Sequence, residues 1–332
     1  MSPSASRRST TSSRACPEGR RAAIVRSLDQ VLPWLLGGLA LASACALFAP
    51  LGWPFELFAH FRAQYLAAAL VLAALLAWRR QAAPALLALV LAGWHAWPAA
   101  QGLVAAPPAA ACTGPTLTVA TANVRYSNED HARFLAWLDG EPADLVVVQE
   151  VTAAWAHDLA ARRGYPYQHV LTREDPYGIA ILSRWPLEAV TLVDLAGDGL
   201  PSLGAMVAVD GRRIQVYGLH THWPVTPSLA RARDEALHAA AALARAATLP
   251  VVMLGDLNLT PYSPPFDRLL ADGQLRDAMH GRGWHPTWQS GFWPLALRID
   301  HVLVSSGLCV EEATVGPAVG SDHRPVLARL RL

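Results

Sequence analysis

Three apolar runs, at residues 31–49, 63–78 and 82–100, constrain this chain more than any other feature. A run of 19 residues at about 1.5 Å per residue is about 28 Å long, close to the hydrocarbon thickness of a bilayer. Few polar residues interrupt the runs, and the charges fall between them: Glu56 and Arg62 in the first gap, Arg79 and Arg80 in the second. The second gap is so short that the last two helices must form a hairpin. Trp34, Trp53, Trp78, Trp94 and Trp97 lie near the run ends, where an interfacial aromatic belt would sit. The pattern predicts an N-terminal bundle of three transmembrane helices. Helices buried in a large soluble core are the weaker reading, because such helices carry more polar breaks.

Arginine placement sets an orientation. Six Arg precede the first run and two separate the second from the third, whereas the 50–62 gap holds one. The positive-inside bias then puts the amino terminus and the Arg79, Arg80 turn in the cytoplasm. An odd number of spans puts everything after residue 100 outside, on an integral protein of the inner (plasma) membrane. A cleaved signal peptide, with Ala42-Ser43-Ala44 as its cleavage site, is the rival for the first run. The Ser/Arg-rich lead at 1–30, expected to be disordered and cytoplasmic, is too long for a signal n-region, and two more runs follow.

The net charge of +1 hides a division at Cys112. Residues 1–112 carry nine Arg and three acids, a charge of +6; the remainder carries eighteen Arg and twenty-three acids, −5, with ten of the twelve His. All 27 basic residues are Arg, which reads as genome composition. With 53% hydrophobic and 16% charged residues the chain is neither disordered nor collagen-like, and four Cys exclude a disulfide-dense mini-protein. Cys112 and Cys309 would share the oxidising side, but sequence alone does not pair them. A Pro/Ala tether at 101–115 leads into a domain at 116–332, long enough for one sizeable core.

Strand-like runs in that domain fall at 117–124, 145–149, 179–182, 189–195, 205–209, 214–220, 251–254, 299–304 and 325–330. Helical stretches fit 131–138, 153–163, 229–247 and 266–271. Strands arrive both as neighbours and with helices between them, which predicts an α/β sandwich with mixed sheets.

Polar residues recur where the apolar strands stop. Val119-Ala120-Thr121-Ala122 ends in Asn123, and Leu145-Val146-Val147-Val148 ends in Gln149-Glu150. Val216-Tyr217-Gly218-Leu219 ends in His220-Thr221-His222, and Val251-Val252-Met253-Leu254 ends in Gly255-Asp256-Leu257-Asn258. Arg298-Ile299-Asp300-His301 opens a strand, and Ser321-Asp322-His323 precedes the last one. Such residues would serve poorly in a core, and strand ends are where sites are built. Alternation puts Asp256 and Asn258 on one face, and Gly255 permits close backbone approach. Extended geometry would also put Arg298 and Asp300 on one face and turn His301 away, into a packed or surface position. His220 and His222 invite a zinc reading, but no third clustered His and no Cys follows, leaving His220 as the site candidate.

These motifs, in this order, resemble those of the endonuclease/exonuclease/phosphatase superfamily, as does Tyr177-Gly178-Ile179-Ala180-Ile181-Leu182-Ser183-Arg184 as one of its structural strands. The resemblance spans about residues 116–332, and with the apolar leader it is similar to a membrane-anchored bacterial subgroup. It implies a four-layered α/β sandwich, two mixed β-sheets flanked by helices, and metal-dependent phosphoester hydrolysis. Some members carry an Asp two residues after the first Asn; here Arg125 stands there, so Glu150 is expected to be the main metal ligand, supported by Asn123. Asp322 is expected as a further ligand or as a carboxylate behind the ligands. A site with few protein oxygens suits Mg²⁺, or Mn²⁺.

On that reading Asp256 orients or deprotonates the attacking water, and Asn258 holds the water or a phosphate oxygen. His220 and His323 contact the phosphate with Asn123, and Asp300 orients His323. The substrate would be a phosphoester: a lipid headgroup, a small ester or nucleic acid. An extracytoplasmic nuclease is one alternative, although the −5 domain lacks an evident basic track. A catalytically silent membrane scaffold is another, which the intact motif set disfavours.

Overall fold

The computed structural model describes residues 17–101, 113–140, 143–289 and 291–332. The N-terminal part is helical: α1 (Pro17–Leu47), a four-residue turn of helix α2 (Glu56–Ala59), α3 (Arg62–Trp78) and α4 (Ala82–Gln101). Leu32, Leu36 and Leu39 of α1 pack against Ala69, Leu72 and Leu76 of α3 and Ala85, Ala88 and Ala92 of α4. The hairpin at Arg79 and Arg80 is present, and Arg79 donates to both carboxylate oxygens of Asp29 on α1, at 2.9 and 2.8 Å.

Two expectations need correction here. Helix α1 begins at Pro17, so the second half of the lead taken as disordered is helical; residues 1–16 lie outside the described residues. Among the described residues only Ser27–Leu47 is long and apolar enough to cross a bilayer, whereas Arg62–Trp78 and Ala82–Pro98 are shorter apolar helices. Three transmembrane helices are therefore replaced by one candidate span with a packed helical hairpin beside it. The Pro/Ala tether falls largely at 102–112, outside the described residues, as does Cys112; Cys309 is disulfide-bonded.

The second part contains strands β1 (Thr116–Asn123), β2 (Leu145–Gln149), β3 (Tyr167–Leu171), β4 (Ile179–Ser183), β5 (Leu187–Asp194), β6 (Pro201–Val209), β7 (Arg212–His220), β8 (Val251–Asp256), β9 (Leu275–Asp277), β10 (Asp300–Ser305), β11 (Cys309–Val315) and β12 (Val326–Arg331). Helices α5 (Ala132–Gly140), α6 (Ala153–Ala160), α7 (Pro227–Ala246) and α8 (Pro264–Gly273) lie between them. They form two six-stranded mixed sheets, ordered β11-β12-β1-β2-β4-β3 and β5-β6-β7-β8-β10-β9. In each, one central pair is parallel, β1 with β2 and β7 with β8, and the other pairs are antiparallel.

Period-two side-chain alternation builds the layers. Leu117, Val119, Leu145 and Val147 of the first sheet meet Val207, Val216, Val252 and Val302 of the second in a shared core. The intervening Ala120, Ala122, Val146 and Val148 face Phe134 and Leu138 of α5 and Trp155 and Leu159 of α6. On the far side Val251, Met253 and Leu303 pack on Leu237, Ala240 and Ala241 of α7 and Phe266 and Leu269 of α8. Helix, sheet, sheet and helix layers follow one another, as the family resemblance implies. Buried on both faces, the central strands read as continuous apolar runs until they reach one common end of the sandwich.

Candidate active site

The two parallel pairs end side by side, and pairing register places the polar residues. Asn123 lies opposite Gln149, one residue before Glu150; His220 lies opposite Asp256, and Asp256 opposite Asp300. At Gly255, where φ is +153°, a Cβ would fall 1.8 Å from the Leu219 carbonyl oxygen, so only glycine lets β7 and β8 approach that closely. Arg125, Glu150 and Asn258 all have φ between +49° and +65°, a left-handed conformation costly for side chains with a Cβ, and all three border the same cavity.

Asn123 is the hub. Its Nδ2 donates to Glu150 Oε1 at 2.8 Å and to Asp256 Oδ2 at 3.1 Å, tying the first sheet to the second. The Tyr126 amide donates to Glu150 Oε2 at 2.8 Å. Gln149 points away and pairs with Thr121, its Nε2 donating to Thr121 Oγ1 at 2.9 Å, a structural role. Burial raises the Glu150 carboxyl above its ordinary range, against the hydrogen bonds from Tyr126 and Asn123.

Asp300, fully buried, accepts from His323 Nδ1 at 2.9 Å, while His323 Nε2 lies 3.7 Å from Asp256 Oδ2. Burial alone would keep His323 neutral, but the Asp300 and Asp256 charges outweigh it and hold the ring protonated. Burial, and then the Asp300 charge, push Asp256 upward. His220 Nε2 is 3.6 Å from Asp256 Oδ2; burial and the neighbouring His323 cation push it down to about 3, so it is neutral at pH 7. Asn258 caps the strand end: its amide donates to Asp256 Oδ1 at 3.0 Å and its Nδ2 to the Thr221 carbonyl at 2.8 Å.

The expected face-sharing of Arg298 and Asp300 does not occur. Extended alternation begins only at Asp300, and Arg298 just before it turns to Asp277, donating at 2.6 and 3.1 Å. His301 is packed as expected, fully buried against Phe266 with Nε2 2.9 Å from the Leu259 carbonyl oxygen. His222 is drawn off the cluster by Asp198, 2.7 Å away, and by the Tyr177 hydroxyl, 3.0 Å away. Asp322 lines the cavity, where its Oδ2 accepts from Trp288 Nε1 at 3.2 Å. Thr287, unflagged by the sequence, accepts the Asp300 amide with its Oγ1 at 3.2 Å and fixes the start of β10. A lone Thr in a loop carries no pattern that would reveal this.

The cluster floors a cavity of about 720 Å³. Ligand atoms of Asp256, Asp300 and His323 lie within 4.8 Å of one another, close enough to share one metal ion. With His323 protonated and bonded to Asp300, that ring offers no lone pair. Among the described residues, Glu150 and Asp322 line the cavity with no ion pair, Glu150 is joined to Asp256 through the Asn123 amide, and the chemistry of this donor set fits a hard divalent cation.

Two mixed sheets carrying acids and histidines at a shared end define a class of hydrolase scaffold. The family model for the endonuclease/exonuclease/phosphatase family matches residues 120–323, and the chain belongs to that family. Among solved structures, an endonuclease/exonuclease/phosphatase from Beutenbergia cavernae is 24% identical with a TM-score of 0.54, covering 65% of this chain and 72% of its own. TDP2 from D. rerio, complexed with single strand DNA product, is 17% identical with a TM-score of 0.57, covering 65% and 99%. A mannosyl-6-phosphatase from Bacteroides thetaiotaomicron is 20% identical with a TM-score of 0.52, covering 65% and 100%. At these identities the likeness establishes the fold. No curated protein matches the chain.

Proposed function

We propose that the protein is a membrane-anchored, Mg²⁺- or Mn²⁺-dependent phosphoester hydrolase, a phosphodiesterase or phosphatase, whose catalytic domain lies outside the cytoplasm. The observation that carries the reading is the convergence of Glu150, Asp256 and the Asp300–His323 pair around the Asn123 amide. A silent scaffold would have no use for buried charges that cost several kcal/mol each to desolvate.

Glu150, with Asn123 beside it, would hold the cation, and Asp322 stands on the same cavity wall. When bound, the cation supplies charge neutralisation of the phosphate and polarisation of the ester. The protein supplies the rest. The protonated His323 ring places a fixed positive charge toward the phosphate, and Asp300 fixes its orientation and proton. Asp256, pushed upward in the same cluster, receives the proton of the attacking water. Asn258 holds that water or a phosphate oxygen with the amide capacity left after its bond to Thr221, and neutral His220 donates to phosphate. Hydrolysis in this arrangement is positioning plus electrostatics.

Support for the anchor comes from α1, and from apolar side chains exposed on its neighbours: Leu70, Val71, Leu86, Leu89 and Val90. One span with a cytoplasmic amino terminus would leave the catalytic domain outside, and the disulfide at Cys309 suits an oxidising compartment.

The test is turnover of bis(p-nitrophenyl) phosphate and p-nitrophenyl phosphate by the full chain in detergent. Activity should vanish in chelator, return with Mg²⁺ or Mn²⁺, and fall at least about 100-fold in Glu150→Gln. Full activity in chelator, or in Glu150→Gln, removes the metal from the account.

A further inference from the structure

The catalytic cavity is not built by the family domain alone. Leu57, His60 and Phe61, all from the N-terminal part, line it together with Glu150, His220, Asp256 and His323. The family match begins at residue 120, so this wall is an addition peculiar to the chain's N-terminal extension.

The wall is clasped in place. Glu56 is 1% exposed; it accepts from Arg233 Nη2 on α7 at 3.1 Å and from Ser263 Oγ at 2.5 Å. One turn on, His60 Nδ1 lies 3.0 Å from Thr260 Oγ1, and Nε2 lies 3.2 Å from Glu56 Oε1. Gln64 Nε2 at the start of α3 donates to the Ala296 carbonyl at 2.8 Å. Buried ionic bonds of this kind fix register, and here they fix which side chains face the cavity.

What those side chains present is apolar. Around the cavity stand Leu57, Phe61, Trp223, Val225, Leu295 and Leu297, and Trp223, Val225 and Leu295 are exposed. Among the described residues the lining contains one arginine, Arg125, and no run of cations that could follow a polyanion. A second cavity of about 710 Å³, walled by Leu47, Leu66, Trp94 and Phe266, lies beyond His60 and Leu297, which both cavities share. Acidic and histidine chemistry on the floor thus faces hydrocarbon on the bundle side.

We propose that the segment carrying Leu57 and Phe61 is a specificity-determining wall, selecting a phosphoester whose non-phosphate group is apolar: the ester of an amphiphile resting in the bilayer that α1 is read as crossing. The assignment rests on the hydrolase reading above and goes beyond it in naming the substrate class and the residues that choose it. Burying an alkyl chain is favourable methylene by methylene, so a few methylenes against this wall suffice for an about tenfold preference.

The experiment uses the full chain in mixed micelles with Mg²⁺ and two matched pairs: methyl and dodecyl p-nitrophenyl phosphate diesters, and methyl and dodecyl phosphate monoesters. The wild type should favour the dodecyl member of the pair it hydrolyses at least about tenfold in kcat/KM. Phe61→Ser and Leu57→Ser should bring that ratio toward one, and Phe61→Leu should keep most of it. Equal turnover of methyl and dodecyl esters overturns the proposal while leaving the hydrolase reading standing. Faster cleavage of a single-stranded oligonucleotide than of the dodecyl diester overturns it in favour of a nuclease. Turnover of none of these substrates overturns the hydrolase reading, and the proposal with it. The wild-type ratio needs no variant to fold, so the central comparison holds even if a serine variant is unstable.

Discussion

At the scale of single residues, the Asp300–His323 pair is the sharpest prediction. Two uses of Asp300 are open to a chain with Arg298 two positions earlier: pairing with that arginine, or orienting His323. The geometry selects the second, because Arg298 is taken by Asp277 at 2.6 Å and His323 Nδ1 sits 2.9 Å from Asp300 Oδ2. Asp300→Asn should keep the fold yet lower kcat roughly 100-fold or more, since the charge that holds His323 protonated is gone. His323→Ala should cost a similar factor, and the double variant little more, because residues acting as a unit are not additive. Steady-state kinetics of both singles and the double decide this. Independent multiplication of the two effects would show that the residues act separately. Asp300 and His323 were legible as polar residues flanking apolar strands. The misjudged face of Arg298 marks where the rule stops: alternation holds within a strand and fails at Arg298, two residues before β10 begins.

At the scale of elements, α2 is four residues long and holds its place through one buried acid. Burial opposes ionisation of Glu56, yet His60, Arg233 and Ser263 together lower it to about 2. Its folded value is below its free value, so the stabilisation is whole above about pH 4.5 and fades as the pH falls toward about 2. The displacement corresponds to roughly 3 kcal/mol at most. Glu56→Gln should therefore destabilise the full chain near pH 6 and flatten the acid limb, while the wild-type advantage shrinks between about pH 4.5 and 2. Denaturant melts of both proteins across that range measure it; parallel acid limbs would show that Glu56 does not hold α2. This element was invisible in the sequence, where Glu56 read as a charge in a gap. Central strands such as β1, β2 and β8 announced themselves because burial on both faces demands continuous apolar runs. The edge strands β3 and β11 did not, because their outward residues, Tyr167 and His169, Glu311 and Glu312, are the polar ones an edge wants.

At the scale of the whole molecule, a helical bundle meets a sandwich at the wall of one cavity. The N-terminal apolar runs were legible as helices, and Arg79 marked the hairpin turn, but an apolar run does not make a span by itself: α3 is 17 residues long, about 26 Å at the helical rise, against 21 for the candidate span Ser27–Leu47. Orientation remains a matter of Arg placement. A reporter active only outside the cytoplasm, fused after Thr113, should be active, and a cytoplasm-only reporter there should be silent; the reverse would sink the topology. Chemistry at the strand ends decides the function itself. Asp256 is the residue where both sheets meet, bonded through Asn123 to the first and registered against His220 and Asp300 in the second. The most direct measurement is turnover of bis(p-nitrophenyl) phosphate and p-nitrophenyl phosphate by wild type and Asp256→Asn, with Mg²⁺ saturating and melting followed in parallel. Metal-dependent hydrolysis by the wild type is expected, reduced at least about 100-fold in the variant at nearly unchanged stability. Equal turnover by a folded Asp256→Asn would contradict it.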